Sequence, residues 1–144
     1  MPAKFYEHDI ISRLKGKRKL SVFLDNLVQT YTPVKKVQLN YIFCDDNFLL
    51  EINKQYLKHS TLTDIITFDL SESKEMLCGE IYISVERVNE NAEKYEVSYF
   101  DELHRVIFHG ALHLCGFKDK KEADRKIMRL KENECLDNYK QETP

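Results

Sequence analysis

The segment "YFDELHRVIFHGALHLCG" at residues 99–116 decides the fold. Its apolar residues fall on nearly every side of a helix, which predicts a helix buried in the middle of a domain rather than one lying on its surface. His109 and His113 are separated by one helical turn and share a face. Two imidazoles at this spacing can bind one Zn²⁺ ion. The alternative is a pair of core histidines with ordinary hydrogen bonds.

The residues after this helix offer a third ligand. Gly116 favours a left-handed exit from the helix, which turns the chain back toward the two histidines. Asp119, six positions after His113, can then reach a metal from outside the helix. Asp119 also precedes the last predicted helix, with Glu122 three residues later, and this pattern resembles a capping box. A carboxylate has two oxygens, so the roles of ligand and helix cap both remain open.

The spacing of these residues matches that of the metzincin peptidases, with Asp119 at the position of their third histidine. Such peptidases need a glutamate directly after the first histidine as general base. Here that position is Gly110. Because glycine cannot accept a proton, the sequence argues against peptide hydrolysis by this mechanism.

Outside this segment, short strands with a period of two alternate with helical stripes. The predicted order is β-α-β-α-β-β-α-α-α. The elements lie at 4–10, 20–31, 34–45, 47–57, 63–70, 78–88 (a strand that turns into a helix, with Ser84 as the cap), 99–116 and about 120–139. Helix caps are predicted at Asp45 or Asp46, at Ser84 and at Ser98. The order predicts an α+β fold, with a small mixed sheet of about four strands packed with helices and a buried central helix that carries the histidine pair.

The composition limits the number of domains and the kinds of partner that we expect for the protein. The 144 residues predict one domain, 1–144, and the net charge of −2 means that any contact with nucleic acid must come from local basic clusters. Three such clusters occur, and each could be only a solvated surface patch: Lys15 to Lys19, Lys35 with Lys36, and Lys118 with Lys120 and Lys121. The four cysteines form no CxxC pair, and no signal peptide or apolar run of membrane length is present. We therefore expect a cytoplasmic protein with reduced thiols and no membrane partner.

Three segments resemble the YbeY family of bacterial endoribonucleases, which act in ribosomal RNA maturation. "HGALHLCGF" (109–117) matches the first nine positions of the family signature H-G-x-L-H-L-x-G-[FYW]-D-H. "INKQYLKHSTLTDIITF" (52–68) and "GEIYIS" (79–84) resemble two further family segments in the same order. The resemblance implies a metal-dependent, single-strand-specific endoribonuclease that acts in ribosomal RNA maturation and ribosome quality control. It also implies Zn²⁺ or another divalent metal as cofactor, the small ribosomal subunit as partner, and no organic cofactor.

The chain departs from the family pattern at its metal site. Lys118 stands where the family has Asp, and Asp119 stands where it has the third histidine. The resemblance then implies that His109, His113 and Asp119 hold the metal. His₂-carboxylate sites do bind Zn²⁺, although an oxygen ligand shifts the preference somewhat toward metals such as Mn²⁺ or Fe²⁺.

A second departure concerns the residues expected to act on the substrate. Leu57 stands where the family has an arginine after the tyrosine of N-x-x-Y. Lys58 and His59 are candidate catalytic cations beside it, although Lys58 could be a plain surface residue. Asp64, in the family's T-D pair, is a third catalytic candidate that would line the floor of the cleft. Alternatively, it only terminates the loop before the next strand.

Two other functional classes remain open at this point. The loss of the third histidine and of the arginine is also what we would expect of a non-catalytic ribosome-assembly factor that keeps the fold with a degraded metal site. A metallohydrolase that acts on another substrate is the remaining class. The Tyr56 ring is expected to lie in the core.

Overall fold

The structure of the protein is a computed structural model that describes residues 1–57 and 63–142. The elements are β1 (Ala3–Glu7), α1 (Lys17–Tyr31), β2 (Lys36–Cys44), α2 (Asp46–Ile52), a π-helical turn (Asn53–Leu57), β3 (Ile65–Asp69), β4 (Met76–Ser84), α3 (Val85–Tyr95), α4 (Tyr99–Leu114) and α5 (Glu122–Gln141). The predicted order of strands and helices is confirmed. The helix predicted over 47–57 is α-helical only in its first part and ends as the π-helical turn.

The four strands form one mixed sheet in the order β1-β2-β4-β3. β1, β2 and β4 are parallel, and β3 pairs antiparallel with β4 at the edge. Parallel neighbours need a crossover, and α1 provides the one between β1 and β2. The α+β fold with four strands is therefore confirmed. Its edge strand β3 lies beside the C-terminal half of α4, where the histidines are.

Side-chain caps fix the start of three helices. Asp45, Ser84 and Ser98 each accept a hydrogen bond from the backbone N–H three residues later, as the sequence predicted. These bonds satisfy amide groups that have no partner inside the helix. The cap at Ser98 sets the start of α4 and with it the direction in which the later residues of that helix point.

Helix α4 is the centre of the core, as predicted. Its residues Leu103, Ile107, Phe108, Ala111 and Leu112 are fully buried. The helix ends in a Schellman motif, in which Gly116 has a φ of 109° and the Phe117 N–H donates to the Leu112 carbonyl at 3.1 Å. The left-handed exit expected at Gly116 is thus present, and it turns the chain back toward the histidines.

Gly110 allows α4 to lie directly on the sheet. A Cβ atom at this position would lie 2.9 Å from Ile81 Cγ2 and 3.0 Å from Ile65 Cδ1. Both distances are too short for carbon–carbon contact. The isoleucine side chains cannot easily move aside, because a β-branched residue is stiff at χ1. The glycine after the first histidine is therefore needed for packing. It also lacks the carboxylate that a peptidase would use as its general base.

Gly110→Ala should destabilise the fold. Alanine gains about 1 kcal/mol in helix propensity, but overpacking against two isoleucines should outweigh that gain and leave a net loss of about 1–2 kcal/mol. Urea denaturation followed by circular dichroism measures the change. A Gly110→Ala protein as stable as the unaltered chain would mean that α4 can move off the sheet without cost.

No helix in the described parts of the chain combines the length and the apolar character that crossing a membrane requires.

Candidate active site

A cleft of about 530 Å³ lies between the C-terminal half of α4 and the edge of the sheet. Its lining includes all three predicted metal ligands, His109, His113 and Asp119. Leu57 and Thr63 also line it, together with residues 65–67 of β3. α4 supplies the two histidines from adjacent turns, and the turn after Gly116 supplies Asp119. The three side chains singled out from the sequence therefore face one cavity.

The imidazole of His109 lies between two carboxylates. Its Nε2 is 3.1 Å from Oδ2 of Asp119, and its Nδ1 is 2.6 Å from Oε2 of Glu132 on α5. The His109 side chain is 17% exposed and that of Glu132 only 3%. His113, by contrast, is exposed at the mouth of the cleft.

A buried ionic network continues behind His109. The second oxygen of Glu132 lies 3.0 Å from Nη1 of Arg105, and Nε of Arg105 donates to Glu102 Oε1 at 2.9 Å. Nη2 of Arg105 also donates to the other oxygen of Glu102. Glu102 and Glu132 are each 2% exposed. Arg105 therefore pairs with two carboxylates that water hardly reaches.

Sequence reasoning missed this network, although a signal was present. Glu132 lies on the same helical stripe as three other buried residues of α5, namely Met128, Cys135 and Tyr139. A glutamate on an apolar stripe needs a partner, because unpaired buried charges are very costly.

The electrostatics of the site favour positive charge at His109. Burial acts to lower the pKa of His109, but the hydrogen bond and charge of Glu132, together with the charges of Asp119 and Asp64, raise that pKa above its usual value. Burial also acts to raise the pKa of Glu132, but His109 and Arg105 outweigh it and hold that pKa below its usual value. Burial raises the pKa of Asp64, against the opposing charges of Arg105 and His109.

Of the three catalytic candidates, only Asp64 lies within the described residues. Asp64 lies close enough to His109 for their charges to interact, and its backbone carbonyl accepts a hydrogen bond from the Ser84 N–H at 3.0 Å. Its catalytic role stays a prediction. Lys58 and His59 lie outside the described residues. Leu57, the position of the family arginine, lines the cleft, and so does the exposed Lys120.

One expectation from the sequence is wrong, and one of the two roles left open for Asp119 is not observed. Tyr56 is 62% exposed rather than buried, and it lies in the π-helical turn that replaces the predicted end of the helix. Asp119 does not cap α5: the helix begins at Glu122, with Lys121 at the N-cap position and no side-chain cap bond. Asp119 lies two residues too early to reach the first turn, and its carboxylate contacts His109 instead.

The donor groups fit a divalent metal by their chemistry. No three His, Cys, Asp or Glu side chains within residues 1–57 and 63–142 are already gathered as a metal-binding cluster. Two imidazoles and a carboxylate nevertheless line one cleft. The Nδ1–H of His109 donates a hydrogen bond to the Glu132 carboxylate, and metal-binding histidines almost always make such a bond with their second ring nitrogen. The charges of Glu132, Asp119 and Asp64 each favour a positive charge at His109.

Comparison with known proteins agrees with this site. The family model described as Endoribonuclease YbeY matches residues 5–140. A relative named Endoribonuclease YbeY from Flavobacterium psychrophilum is 60% identical over 99 residues, which cover 69% of this chain and 70% of the relative. Another protein of that name, from Parabacteroides distasonis, is 42% identical over 136 residues, or 94% of each chain.

A solved structure supports the same assignment. The solution structure of a protein from Thermotoga maritima is similar with a TM-score of 0.62 at 26% sequence identity. The match covers 95% of this chain and 88% of that protein. Taken with the match over residues 5–140 and the histidine pair on a buried central helix, these similarities place the chain in the YbeY endoribonuclease family.

Proposed function

We propose that the cleft around His109, His113 and Asp119 is where this chain cleaves RNA. The chain is an endoribonuclease that acts in ribosomal RNA maturation, because it belongs to the YbeY family over nearly its whole length. The observation that supports the location is the imidazole of His109, held between Glu132 and Asp119 and facing the cleft. The alternative of a non-catalytic assembly factor is not favoured, since the relatives carry the name of a nuclease.

The family is metal-dependent, and we propose Zn²⁺ as the ion in this chain. Nε2 of His109, the imidazole of His113 and the carboxylate of Asp119 would hold it. His₂-carboxylate donor sets suit Zn²⁺, whereas an all-oxygen set would favour Mg²⁺ or Ca²⁺. When bound, the ion would supply Lewis-acid catalysis at a phosphoryl oxygen of the substrate.

The other groups of the cleft would bind and orient the RNA. Lys120 lines the cleft and supplies a positive charge for the phosphate. Lys58 and His59, from the segment outside the described residues, are proposed to add positive charge near the scissile bond. Asp64 does not line the cleft itself, but its charge interacts with that of His109, and we propose it as a catalytic group. Leu57 cannot bind phosphate as an arginine does, so these lysine and histidine side chains would have to supply the positive charge.

The substrate proposed is single-stranded RNA of the small ribosomal subunit. His109 is only 17% exposed, so a phosphodiester must enter the cleft to reach it. An unpaired strand can do this more readily than a duplex, whose phosphates are held on a stiff helix. We propose that the reaction takes place in the cytoplasm, that residues 1–144 act as one YbeY-like unit, and that no organic cofactor takes part.

Cleavage of a defined RNA tests this proposal. An oligonucleotide labelled at both ends is incubated with zinc-loaded protein and with protein stripped by a chelator, and a duplex of the same sequence serves as control. We expect internal cuts in the single strand with zinc and their loss after stripping. Equal cleavage by stripped protein would contradict a metal-dependent site. Tight RNA binding with no cleavage under any condition would support the assembly-factor alternative.

Asp119→Asn tests the ligand that differs from the family pattern. Asparagine keeps the size but loses the charge, so zinc affinity and RNA cleavage should each fall by about 10-fold to 100-fold or more. Asp137→Asn, at an exposed position of α5, is the matched control and should change neither quantity. Wild-type zinc affinity in the Asp119→Asn protein would remove Asp119 from the metal site.

A further inference from the structure

We propose that Glu132, held by Arg105, is a positioning residue that fixes the ring of His109 with Nε2 toward the cleft. The inference rests on the proposed role of His109 as a metal ligand. Glu132 is buried, and its two oxygens have different partners. Arg129 approaches Oε1 from the surface at 3.4 Å, and the two closer partners are His109 and Arg105. Oε2 lies 2.6 Å from Nδ1 of His109, and Oε1 lies 3.0 Å from Nη1 of Arg105.

The chemistry of this contact selects one form of the histidine. An ionised carboxylate can only accept hydrogen bonds, so Nδ1 of His109 must carry the proton that it donates to Glu132. If a metal ion takes the place of the proton on Nε2, the lone pair that faces the cleft is the one on Nε2, because Nδ1 keeps the proton that Glu132 accepts. Nε2 is the atom that lies 3.1 Å from Asp119 in the cleft. Glu132 thus directs the coordinating nitrogen of His109 toward the proposed metal site.

Arg105 holds Glu132 in the orientation that this requires. Its guanidinium is bonded to Glu102 on its own helix as well as to Glu132 on α5, and its side chain is only 13% exposed. Rotation of the Glu132 carboxylate would break a buried, charge-assisted bond, which is costly. The ring of His109 is therefore tied to both α4 and α5 before any ligand arrives.

A purely structural role of Glu132 leads to a different expectation. If the network only joined α4 to α5, its removal would lower the free energy of unfolding but leave the zinc dissociation constant of the folded protein unchanged. If Glu132 positions His109, zinc binding must weaken even in a variant that folds fully. Zinc affinity, measured apart from activity, therefore separates the two roles.

The test compares Glu132→Gln with Glu134→Gln in the full chain. Glutamine is nearly isosteric but uncharged, whereas Glu134 is exposed on the same helix and pairs with Lys131. Competition with a chromophoric chelator should show zinc affinity falling by about 10–100-fold in Glu132→Gln and not in Glu134→Gln. With zinc in excess, kcat for RNA should fall while KM stays unchanged. A folded Glu132→Gln protein with wild-type zinc affinity and kcat would overturn the inference.

A measurement on the unaltered chain covers the case in which Glu132→Gln does not fold. In the zinc-loaded protein with ¹⁵N-labelled histidine, NMR should show Nδ1 of His109 protonated and Nε2 bound to zinc. Zinc on Nδ1, or no proton on Nδ1, would overturn the inference while leaving the metal site intact. An unaltered chain that binds no zinc at all would instead contradict the proposed metal site, so the two failures are distinguishable.

Discussion

Replacing His113 by alanine should abolish RNA cleavage without unfolding the protein. His113 is exposed at the mouth of the cleft, so its removal leaves no buried cavity and no unpaired charge. The variant keeps His109 and Asp119 but loses one of three proposed ligands. We expect kcat/KM to fall by at least about 10³-fold, or about 4 kcal/mol in transition-state stabilisation.

The control for this variant is His8→Ala. His8 is also partly exposed, but it stacks on Phe48 and does not line the cleft. The His8→Ala variant should cleave RNA at the wild-type rate. Thermal melting of both variants checks that the fold is kept. If His113→Ala retained most of the activity, His113 would not be part of the catalytic site, and another group would have to complete it.

Replacing Arg105 by alanine should have the largest effect on stability. The change leaves two carboxylates, Glu102 and Glu132, buried and without their shared cation. Arg129 approaches Glu132 from the surface at 3.4 Å, but it does not replace the bonds to Glu102. Removing one partner of a buried ion pair typically costs about 3–5 kcal/mol, and we expect a loss of that size. Chemical denaturation measures it.

Two further variants show whether the buried charge is the cause. Lys126→Ala removes a cation from an exposed pair with Glu122 on α5 and should leave the unfolding midpoint unchanged. A triple variant, Arg105→Met with Glu102→Gln and Glu132→Gln, removes all three charges and should recover part of the lost stability. A loss in Arg105→Ala no larger than that in Lys126→Ala would mean that water reaches the network.

The fold could be predicted from the sequence because its signals are local. Period-two strands, a helix apolar all round and the capping residues Asp45, Ser84 and Ser98 each act over a few residues. Gly116 marked the turn correctly for the same reason. The π-helical turn at Asn53–Leu57 was not predicted, because an apolar stripe does not distinguish i+4 from i+5 hydrogen bonding.

The site could be predicted only in part, because its contacts are between distant residues. His109 and His113 are visible as a spacing, but Glu132 lies 23 residues from His109 and meets it only when α5 packs on α4. Asp119 shows how a local signal can mislead. The capping-box pattern made a helix cap one of the two roles left open for it, but the carboxylate makes a tertiary contact with His109 and the helix begins at Glu122.

We propose that His109, His113 and Asp119 together hold a metal ion in the cleft. Elemental analysis of protein purified without a histidine tag tests it most directly, applied to the unaltered chain and to the variants His113→Ala, Asp119→Ala and Asp137→Asn. We expect near-stoichiometric zinc in the unaltered chain and in Asp137→Asn, and its loss in the other two variants. No metal in the unaltered chain after zinc is added back, or full zinc in both ligand variants, would contradict the claim.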